Sequence, residues 1–104
     1  MKNRLRECLD AKKPIIATRI NSAWPMVAEV VGATNTYDYI EFLGEYAPYN
    51  QYDLENIARV CELHNMSCII KTDWANREYV AQKALASGFN GILFTDHTTA
   101  EEVR

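Results

Sequence analysis

The fold of this chain is decided by the stretch Tyr37-Asp38-Tyr39-Ile40-Glu41-Phe42-Leu43-Gly44-Glu45-Tyr46-Ala47-Pro48-Tyr49-Asn50. Its first half is rich in aromatic and aliphatic residues, which favours a strand that is buried on both faces, as in a parallel sheet. Functional groups of α/β folds collect where such strands end. We therefore expect the first functional residues at Glu45 and Tyr46.

Three further strands and the helices between them are predicted from hydrophobic periodicity. Short apolar runs between turn residues predict strands at 15–20, 67–72 and 91–94. Helical spacing predicts helices at 4–12, 22–32, 53–64 and 76–87, and a last helix that begins near residue 98. The chain is therefore predicted to form one leading helix and four βα units, which implies a parallel sheet with right-handed crossovers.

The ends and faces of these helices are predicted from capping residues and apolar spacing. Ser22 and Asp53 are predicted N-caps, Gly32 and Gly88 are predicted left-handed stops, and the segment 98–101 has the form of a capping box. The leading helix is expected to cover one end of the sheet. The buried face of helix 22–32 is expected to consist of Met26, Val27, Val30 and Val31, and that of helix 53–64 of Leu54, Ile57, Ala58 and Cys61.

Composition argues against several classes of function. The chain has 11 basic and 14 acidic residues, a net charge of −3 and no basic block, so we expect no nucleic-acid partner. No apolar run is long enough to span a bilayer, and the polar start has no signal-peptide core, so we expect a cytoplasmic protein without a membrane partner. Cys8, Cys61 and Cys68 lack metal-site spacing and are expected to be reduced thiols in apolar surroundings.

The 104 residues are expected to form a single α/β domain, 1–104, without a linker or a low-complexity segment. Four strands form either an open sheet with helices on both faces or half of a closed barrel. A flavodoxin-like open sheet that binds a small ligand or phosphate is one alternative, but no Gly-rich phosphate loop of a known type is present.

A set of short motifs occurs in an order and spacing that resemble the N-terminal half of the HpcH/HpaI aldolase family, the pyruvate aldolases related to citrate lyase β-subunits. The resemblance covers about residue 4 to residue 104. It rests on Pro25-Met26-Val27-Ala28-Glu29, Tyr37-Asp38-Tyr39, Gly44-Glu45 followed by Ala47-Pro48, Tyr52-Asp53-Leu54-Glu55, Lys71-Thr72-Asp73-Trp74, Ala86-Ser87-Gly88-Phe89-Asn90-Gly91-Ile92 and Thr99-Ala100-Glu101-Glu102.

The resemblance implies a fold and an activity. The family fold is a (β/α)8 barrel, so the chain is expected to be a parallel (β/α)4 half of a TIM-type barrel. The implied activity is aldolase-type lyase cleavage of 4-hydroxy-2-oxo acids, which gives pyruvate and an aldehyde. The resemblance also implies a small 2-oxo acid substrate, a homo-oligomer, and a divalent metal, Mg or Mn, that holds the pyruvate enolate. The family's metal ligands lie on later strands, so no residue of this chain is expected to bind the metal.

Three positions, Leu43, Tyr46 and Lys71, depart from the family pattern. The family has Asp-Gly-Glu-His at the end of the second strand, where this chain has Leu43-Gly44-Glu45-Tyr46. The arginine at the end of the third strand corresponds to Lys71. Tyr46 and Lys71 are therefore the expected catalytic residues, with Tyr46 in the position of proton transfer and Lys71 beside the enolate oxygen.

Each of these two residues has an alternative interpretation. A phenol has a pKa near ~10 and is a poor base at neutral pH unless a cation lowers its pKa, so Tyr46 either transfers a proton or only packs and binds ligand. Lys71 is a point charge for a carboxylate or enolate, a Schiff-base lysine, or a solvated residue at a strand end.

Five further residues are expected to bind substrate because they lie in the loops after the second, third and fourth strands. They are Glu45, Asp73, Trp74, Asp96 and His97. For Asp96 and His97 a role in the turn or in leading into the helix is the alternative. For the whole chain, the alternative to an aldolase is a catalytically inactive half barrel or fragment that acts only in oligomerisation, because a half barrel leaves strand edges and an inner face uncovered.

Overall fold

A computed structural model describes residues 2–104, which form a four-stranded sheet and five helices. The strands are β1 (Ala17–Ile20), β2 (Tyr39–Phe42), β3 (Ser67–Lys71) and β4 (Gly91–Leu93). The helices are α1 (Arg4–Asp10), α2 (Pro25–Ala33), α3 (Gln51–Leu63), α4 (Arg77–Ser87) and α5 (Ala100–Val103). The predicted leading helix and four βα units are confirmed.

The order of the strands shows on which face the helices lie. All strand pairs are parallel, and the order in the sheet is β1-β2-β3-β4. Right-handed crossovers that always advance in one direction put successive helices on the same face, whereas a flavodoxin-like sheet reverses direction at a switch point. In agreement with this, α3 packs against both α2 and α4. The topology is therefore of the barrel type, and the flavodoxin-like alternative is wrong.

The hydrophobic core lies between the sheet and the helices. Ile40, Phe42 and Ile70 point from the strands into this layer and are fully buried, as is Ile57 on α3. Removing a side chain of this size from water contributes about 1.5–3 kcal/mol. The predicted apolar face of α3 is confirmed, since Leu54, Ile57, Ala58 and Cys61 are all buried.

The opposite, inner face of the sheet contains an ion pair between neighbouring strands. Arg19, Glu41 and Ile69 are register partners on β1, β2 and β3, and their side chains lie on this face. Nε of Arg19 lies 2.8 Å from Oε2 of Glu41, and the Glu41 residue is only 6% exposed. The prediction that β2 is buried on both faces is therefore confirmed for Ile40, Glu41 and Phe42, and the buried residue on the inner face is a glutamate beside a cation.

Helix α1 covers the amino ends of the strands, as predicted. The backbone N–H of Leu5 donates to Oγ of Ser67, at 2.9 Å, at the start of β3. Nε of Arg4 lies 3.1 Å from Oδ1 of Asp38, just before β2. These contacts attach α1 to the edge of the sheet where the strands begin. The strand ends where function was expected lie at the opposite edge.

Several predicted caps are displaced by a few residues. The N-cap of α2 is Trp24, and Ser22 instead accepts a hydrogen bond from the backbone of Trp24. The N-cap of α3 is Asn50, which forms a capping box with Asp53, so the predicted cap is the third helical residue. The capping box of α5 is formed by Thr99 and Glu102, one residue later than predicted. In α3 and α5 the acidic residue is the reciprocal partner in the box.

The buried face of α2 also differs from the prediction. Met26 and Val30 are exposed, and the buried residues of this helix are Ala28 and Gly32. Small residues face α3 because the helices approach closely: a Cβ built on Gly32 would lie 2.5 Å from Cγ of His64. Gly32 is thus inside the helix and is no left-handed stop, whereas Gly88 ends α4 with a φ of 111°, as predicted.

Two expectations from composition concern the cysteine thiols and membrane-spanning segments. Cys8, Cys61 and Cys68 are free and buried, as predicted, and the hydrogen bond with Cys61 together with burial raises the pKa of the Cys68 thiol. Within residues 2–104, no helix is both long enough and apolar enough to cross a membrane.

Candidate functional site

The chain turns sharply at the end of β2 and directs Glu45 and Tyr46 toward β3. The backbone N–H groups of Tyr46 and Ala47 both donate to the carbonyl of Leu43, at 3.0 and 2.9 Å. Gly44 lies inside this turn, where a Cβ would be 2.8 Å from Cδ1 of Ile70 and 3.0 Å from the carbonyl oxygen of Lys71. The absence of a side chain at Gly44 therefore lets the turn lie directly against the end of β3.

Lys71 connects the ends of β2 and β3. Its Nζ lies 3.3 Å from Oε2 of Glu45, 3.5 Å from the hydroxyl of Tyr46 and 4.9 Å from the centroid of the Tyr46 ring. The side chains of Lys71 and Glu45 are largely buried, at 24% and 15% exposed, whereas Tyr46 is 61% exposed. Three residues predicted from the sequence are thus in mutual contact.

Thr95, on the loop after β4, adds a hydroxyl to this group. Its Oγ1 lies 2.7 Å from the carbonyl oxygen of Thr72 and 3.2 Å from Oε2 of Glu45. We refer to Glu45, Tyr46, Lys71 and Thr95 as the Lys71 cluster. Sequence reasoning missed Thr95, although its position directly after a strand was the same signal that indicated Glu45.

The cluster shifts the titration of both charged members. The pKa of the Glu45 carboxyl is lowered, first by the Tyr46 hydroxyl, which outweighs the opposing effect of burial, and then by Lys71 and Thr95. Burial lowers the pKa of Lys71, but the Glu45 carboxylate and the Tyr46 hydroxyl together outweigh it, so the pKa is raised. A Schiff-base lysine needs a depressed pKa. The geometry thus favours Lys71 as a fixed positive charge.

Trp74 and His97 form a second group beside the cluster. Their rings meet edge to face, with centroids 5.5 Å apart, so the loops after β3 and β4 are in contact. The guanidinium of Arg77 stacks on the Trp74 ring, 3.8 Å from its centroid. It also donates a hydrogen bond to the Trp74 carbonyl at 2.7 Å. Sequence reasoning missed Arg77, which is the first residue of α4.

Asp73 and Asp96 are not part of the cluster's contacts with Lys71. Oδ2 of Asp73 accepts hydrogen bonds from the backbone and side-chain nitrogens of Asn76, at 3.0 and 2.7 Å, and so stabilises the turn into α4. Asp96 is exposed, has a φ of 64° and approaches Oγ1 of Thr95 at 3.4 Å. Their roles in binding substrate stay predictions.

A metal does not fit the side chains that the structure brings together. Residues 2–104 contain no group of three histidine, cysteine, aspartate or glutamate side chains arranged to hold a metal ion. The Oε2 atom of Glu45 is already in contact with Lys71 and Thr95.

Comparison with solved structures identifies the architecture. The crystal structure of an HpcH/HpaI aldolase from Desulfitobacterium hafniense DCB-2 matches 96% of this chain with a TM-score of 0.82 and 23% identity. The fold is that of a partial TIM-type barrel. Citrate synthase SbnG matches 95% of the chain, with a TM-score of 0.82 and 23% identity, and macrophomate synthase matches 97%, with a TM-score of 0.79 and 23% identity. The predicted likeness to this aldolase barrel is confirmed for the fold.

The partial barrel is short compared with these structures. It corresponds to 38% of the aldolase chain, 40% of the citrate synthase chain and 34% of the macrophomate synthase chain. No protein-family model and no curated protein sequence matches it. The comparison therefore gives the architecture of the chain alone.

Proposed function

We propose that the chain provides the substrate-binding and proton-transfer residues of an aldolase-type lyase that cleaves 4-hydroxy-2-oxo acids to pyruvate and an aldehyde. The observation that carries the proposal is the Lys71 cluster, which joins a cation, a carboxylate and a phenol at the carboxyl ends of adjacent barrel strands. Active sites of (β/α)8 enzymes lie at this face. The likeness of the fold to an aldolase and two synthases supports the same class of chemistry.

The reaction needs two things from the protein. A proton leaves the 4-hydroxyl group as the bond between C3 and C4 breaks, and the electron pair of that bond remains on the pyruvate half as an enolate. The aldehyde departs, and the enolate then takes up a proton at C3. The site must therefore stabilise negative charge on the enolate oxygen and must hold a group that accepts and returns a proton.

Lys71 suits the first of these requirements. Its raised pKa keeps the ammonium group charged at neutral pH, and its partly buried position limits screening by water. An ammonium group is a compact point charge, so it can stabilise a carboxylate or an enolate oxygen without the paired geometry that arginine requires. Glu45 holds the ammonium group in place and would share it with the substrate.

Tyr46 is the candidate for the proton transfer. Its hydroxyl lies 3.5 Å from Nζ of Lys71, and its ring is close enough for a cation–π contact. A residue that accepts and returns a proton must lie within hydrogen-bond reach of the reacting group. Its 61% exposure leaves the hydroxyl accessible to a substrate bound at the strand ends.

An aldol-cleavage assay tests this proposal. The chain is supplied with a 4-hydroxy-2-oxo acid and with Mg or Mn, and released pyruvate is measured with a coupled dehydrogenase. We expect pyruvate release that is abolished in Lys71→Met and reduced at least tenfold in Tyr46→Phe, in line with the loss of one acid–base group. Release that is equal in both variants and the parent chain would remove the cluster from the chemistry.

A second candidate function is assembly alone, which the uncovered inner face favours. Arg19 on β1 has a side chain that is 73% exposed, and Leu93 on β4 is 38% exposed, although both lie on the face that a closed barrel would cover. A homo-oligomer would cover these edges. Light scattering measures the assembly, and an oligomer that binds no 2-oxo acid would favour this second candidate over the aldolase.

We place the activity in the cytoplasm as part of the proposal. The three buried free thiols suit a reducing compartment, because cytosolic proteins rarely contain disulfides. Localisation of a tagged full-length protein by fractionation tests this placement.

A further inference from the structure

Thr95 is the one member of the Lys71 cluster that the proposed chemistry does not use. Its Oγ1 lies 2.7 Å from the carbonyl oxygen of Thr72 and 3.2 Å from Oε2 of Glu45. Both of these oxygens are acceptors, whereas a threonine hydroxyl has a single proton to donate. The shorter contact indicates that this proton points to the carbonyl of Thr72, so Glu45 receives little of it.

Glu45 depends on Lys71 for a donor. Oε2 of Glu45 lies 3.3 Å from Nζ of Lys71, and the Glu45 side chain is only 15% exposed. The same Nζ holds the substrate anion in the proposed function. A carboxylate with so little access to water needs donors, because burial without them favours the neutral, protonated form. An anion that draws the ammonium group away therefore leaves Glu45 short of a donor.

Thr95 is placed to replace the donor that Glu45 loses. Rotation about the Cβ–Oγ1 bond turns the hydroxyl proton from the Thr72 carbonyl to Oε2 of Glu45, and no heavy atom has to move. This is the same oxygen that Lys71 contacts. The carbonyl loses a neutral hydrogen bond in the exchange, whereas Glu45 gains one to a charged group, which is about twice as strong. The exchange is therefore favourable once the ammonium group is shared with an anion.

The other polar groups near Glu45 are less suited to this role. The hydroxyl of Tyr46 lies 3.5 Å from Nζ of Lys71, and the proposed function assigns this hydroxyl to proton transfer with the substrate. Asp96 approaches Oγ1 of Thr95 at 3.4 Å, but it is exposed to water, and a carboxylate is only an acceptor. Among residues 2–104, the side chains that lower the pKa of the Glu45 carboxyl are Tyr46, Lys71 and Thr95, in that order of effect.

We propose that Thr95 is a positioning residue that releases Lys71 to the substrate, because its hydroxyl turns to Glu45 when the ammonium group binds the substrate anion. This inference rests on the proposed function, since it concerns the same cation and the same anion. Thr95 contacts no reacting atom. It determines how much of the Lys71 charge is available to the substrate, and it thereby strengthens anion binding without a contact of its own to the anion.

Oxalate binding to the full chain, measured by titration calorimetry, tests the inference. Thr95→Val keeps the shape of the side chain and loses the donor. Oxalate should bind about fivefold more weakly to it, the difference between a hydrogen bond to a charged group and one to a carbonyl. Thr95→Ser keeps the hydroxyl and should stay within about twofold of the parent chain.

Thr98→Val is the matched control on the same loop. Oγ1 of Thr98 also lies near a carboxylate, 3.3 Å from Oε1 of Glu102, but it has no contact with the Lys71 cluster among residues 2–104. We expect this variant to bind oxalate as the parent chain does. Equal oxalate affinities in Thr95→Val and Thr98→Val overturn the inference.

A double-mutant cycle with Glu45→Gln separates positioning from an effect on the fold. A glutamine side chain has no charge to be stabilised when Lys71 is shared, so the hydroxyl of Thr95 has little to offset. In the Glu45→Gln background, Thr95→Val should change the oxalate affinity by less than about twofold. The same loss of affinity with and without the carboxylate would show that Thr95 acts only on the loop after β4, and the inference would be wrong.

Proton uptake is a readout that a purely structural role does not change. In Thr95→Val, Glu45 has no replacement donor and should take up a proton when oxalate binds. The complex then holds more protons than the free protein, so the affinity should rise as the pH falls from about 8 to about 6. The parent chain should show a smaller slope, because its carboxylate stays charged in the complex. Equal slopes in the two proteins would contradict the proposed exchange.

Lys71→Ala separates this inference from the proposed function. If the parent chain does not bind oxalate, or if Lys71→Ala leaves the affinity unchanged, the proposed function is wrong and the inference is wrong with it. If Lys71→Ala weakens oxalate binding and Thr95→Val does not, only the role of Thr95 is wrong.

Discussion

Nζ of Lys71 lies 3.3 Å from Oε2 of Glu45, and this contact joins the ends of two neighbouring strands. The pair stabilises the charged form of both partners, since it lowers the pKa of the carboxyl and raises that of the amine. A lysine held in this way is charged over the whole physiological range of pH. The contact therefore holds a positive charge in a defined place at the mouth of the partial barrel, where the proposed substrate would bind.

Replacement of Lys71 should reduce ligand binding far more than stability. We expect Lys71→Ala to weaken the binding of oxalate, a mimic of the pyruvate enolate, at least about tenfold, because a charge-assisted contact is lost. The melting temperature should change by less than about 4 °C, since a partly exposed ion pair contributes little to folding. Calorimetry and thermal melts measure the two effects.

Lys83→Ala is the matched control for that experiment. Nζ of Lys83 lies 5.4 Å from the centroid of the Tyr79 ring, so it has the same kind of contact with a tyrosine but lies on α4. We expect this variant to bind oxalate as the parent chain does. Equal oxalate affinity in Lys71→Ala and Lys83→Ala would remove Lys71 from the site.

Acid should destabilise the fold through Asp38. The pKa of its carboxyl lies below the ordinary value of 3.8, first because the backbone N–H of Ile16 donates to it and then because Arg4 pairs with it, against the opposing effect of burial. A carboxyl with a lowered pKa in the folded state contributes stability that is fully present above its unfolded pKa. That contribution is lost as the pH falls through the lower, folded value.

Urea unfolding as a function of pH measures this loss. The free energy of unfolding of the parent chain should fall as the pH decreases below about 4, and Asp38→Asn should flatten that part of the profile. Asp10→Asn, at the exposed end of α1, is the control and should keep the slope of the parent chain. An unchanged slope in Asp38→Asn would mean that other carboxyls cause the acid sensitivity.

The sequence predicted correctly the buried residues that follow from hydrophobic periodicity within one helix. It did not predict those that depend on how closely the next helix packs. The apolar face of α3 repeats at helical spacing, so Leu54 and Ile57 were predicted correctly. Met26 and Val30 fit the same pattern but are exposed, because the approach of α3 selects the small residues of α2 for the contact. The hydrophobic pattern of one helix does not predict how closely the next helix packs against it.

The candidate site shows the same division. The rule that function lies at strand ends indicated Glu45 and Tyr46, and the family resemblance indicated Lys71. The structure places the three residues in contact. The sequence did not indicate the contact between Arg19 and Glu41, because both residues lie inside strands and meet only across the sheet. Which inner-face residues meet follows from strand register, which one sequence does not fix.

Thr72 should be a site where an apolar substitution stabilises the fold. Its side chain is fully buried, and its Oγ1 has no hydrogen-bond partner among residues 2–104. A buried hydroxyl without a partner costs about 1–3 kcal/mol, and replacement by a group of the same shape removes that cost. We expect Thr72→Val to raise the free energy of unfolding by about 1 kcal/mol. The midpoint of urea unfolding should rise without a change in slope.

Thr95→Val is the matched comparison, since it makes the same chemical change at a bonded hydroxyl. Oγ1 of Thr95 lies 2.7 Å from the carbonyl oxygen of Thr72 and 3.2 Å from Glu45. This variant should lower the free energy of unfolding by about 1 kcal/mol, the typical contribution of one hydrogen bond. A loss of stability in Thr72→Val equal to that in Thr95→Val would show that the Thr72 hydroxyl has a partner.

Gly32→Ala should destabilise the chain, although alanine is the better helix former. In an exposed helix the substitution gains up to about 1 kcal/mol. Gly32, however, faces α3, and an added Cβ would lie 2.5 Å from Cγ and 2.8 Å from Cβ of His64. Neither atom is at the flexible end of the side chain, so the helices must separate. We expect the free energy of unfolding to fall by about 1–3 kcal/mol, the usual effect of overpacking.

The double variant Gly32→Ala with His64→Ala shows whether this clash is the cause. Removing the imidazole opens the space that the new methyl group needs, so the double variant should be more stable than the sum of the two single changes predicts. Urea unfolding of the four proteins gives a coupling energy, and residues in direct contact have values of about 0.5–3 kcal/mol. Simple additivity would mean that the ring of His64 does not lie over Gly32, and that small residues on α2 are not what sets its distance from α3.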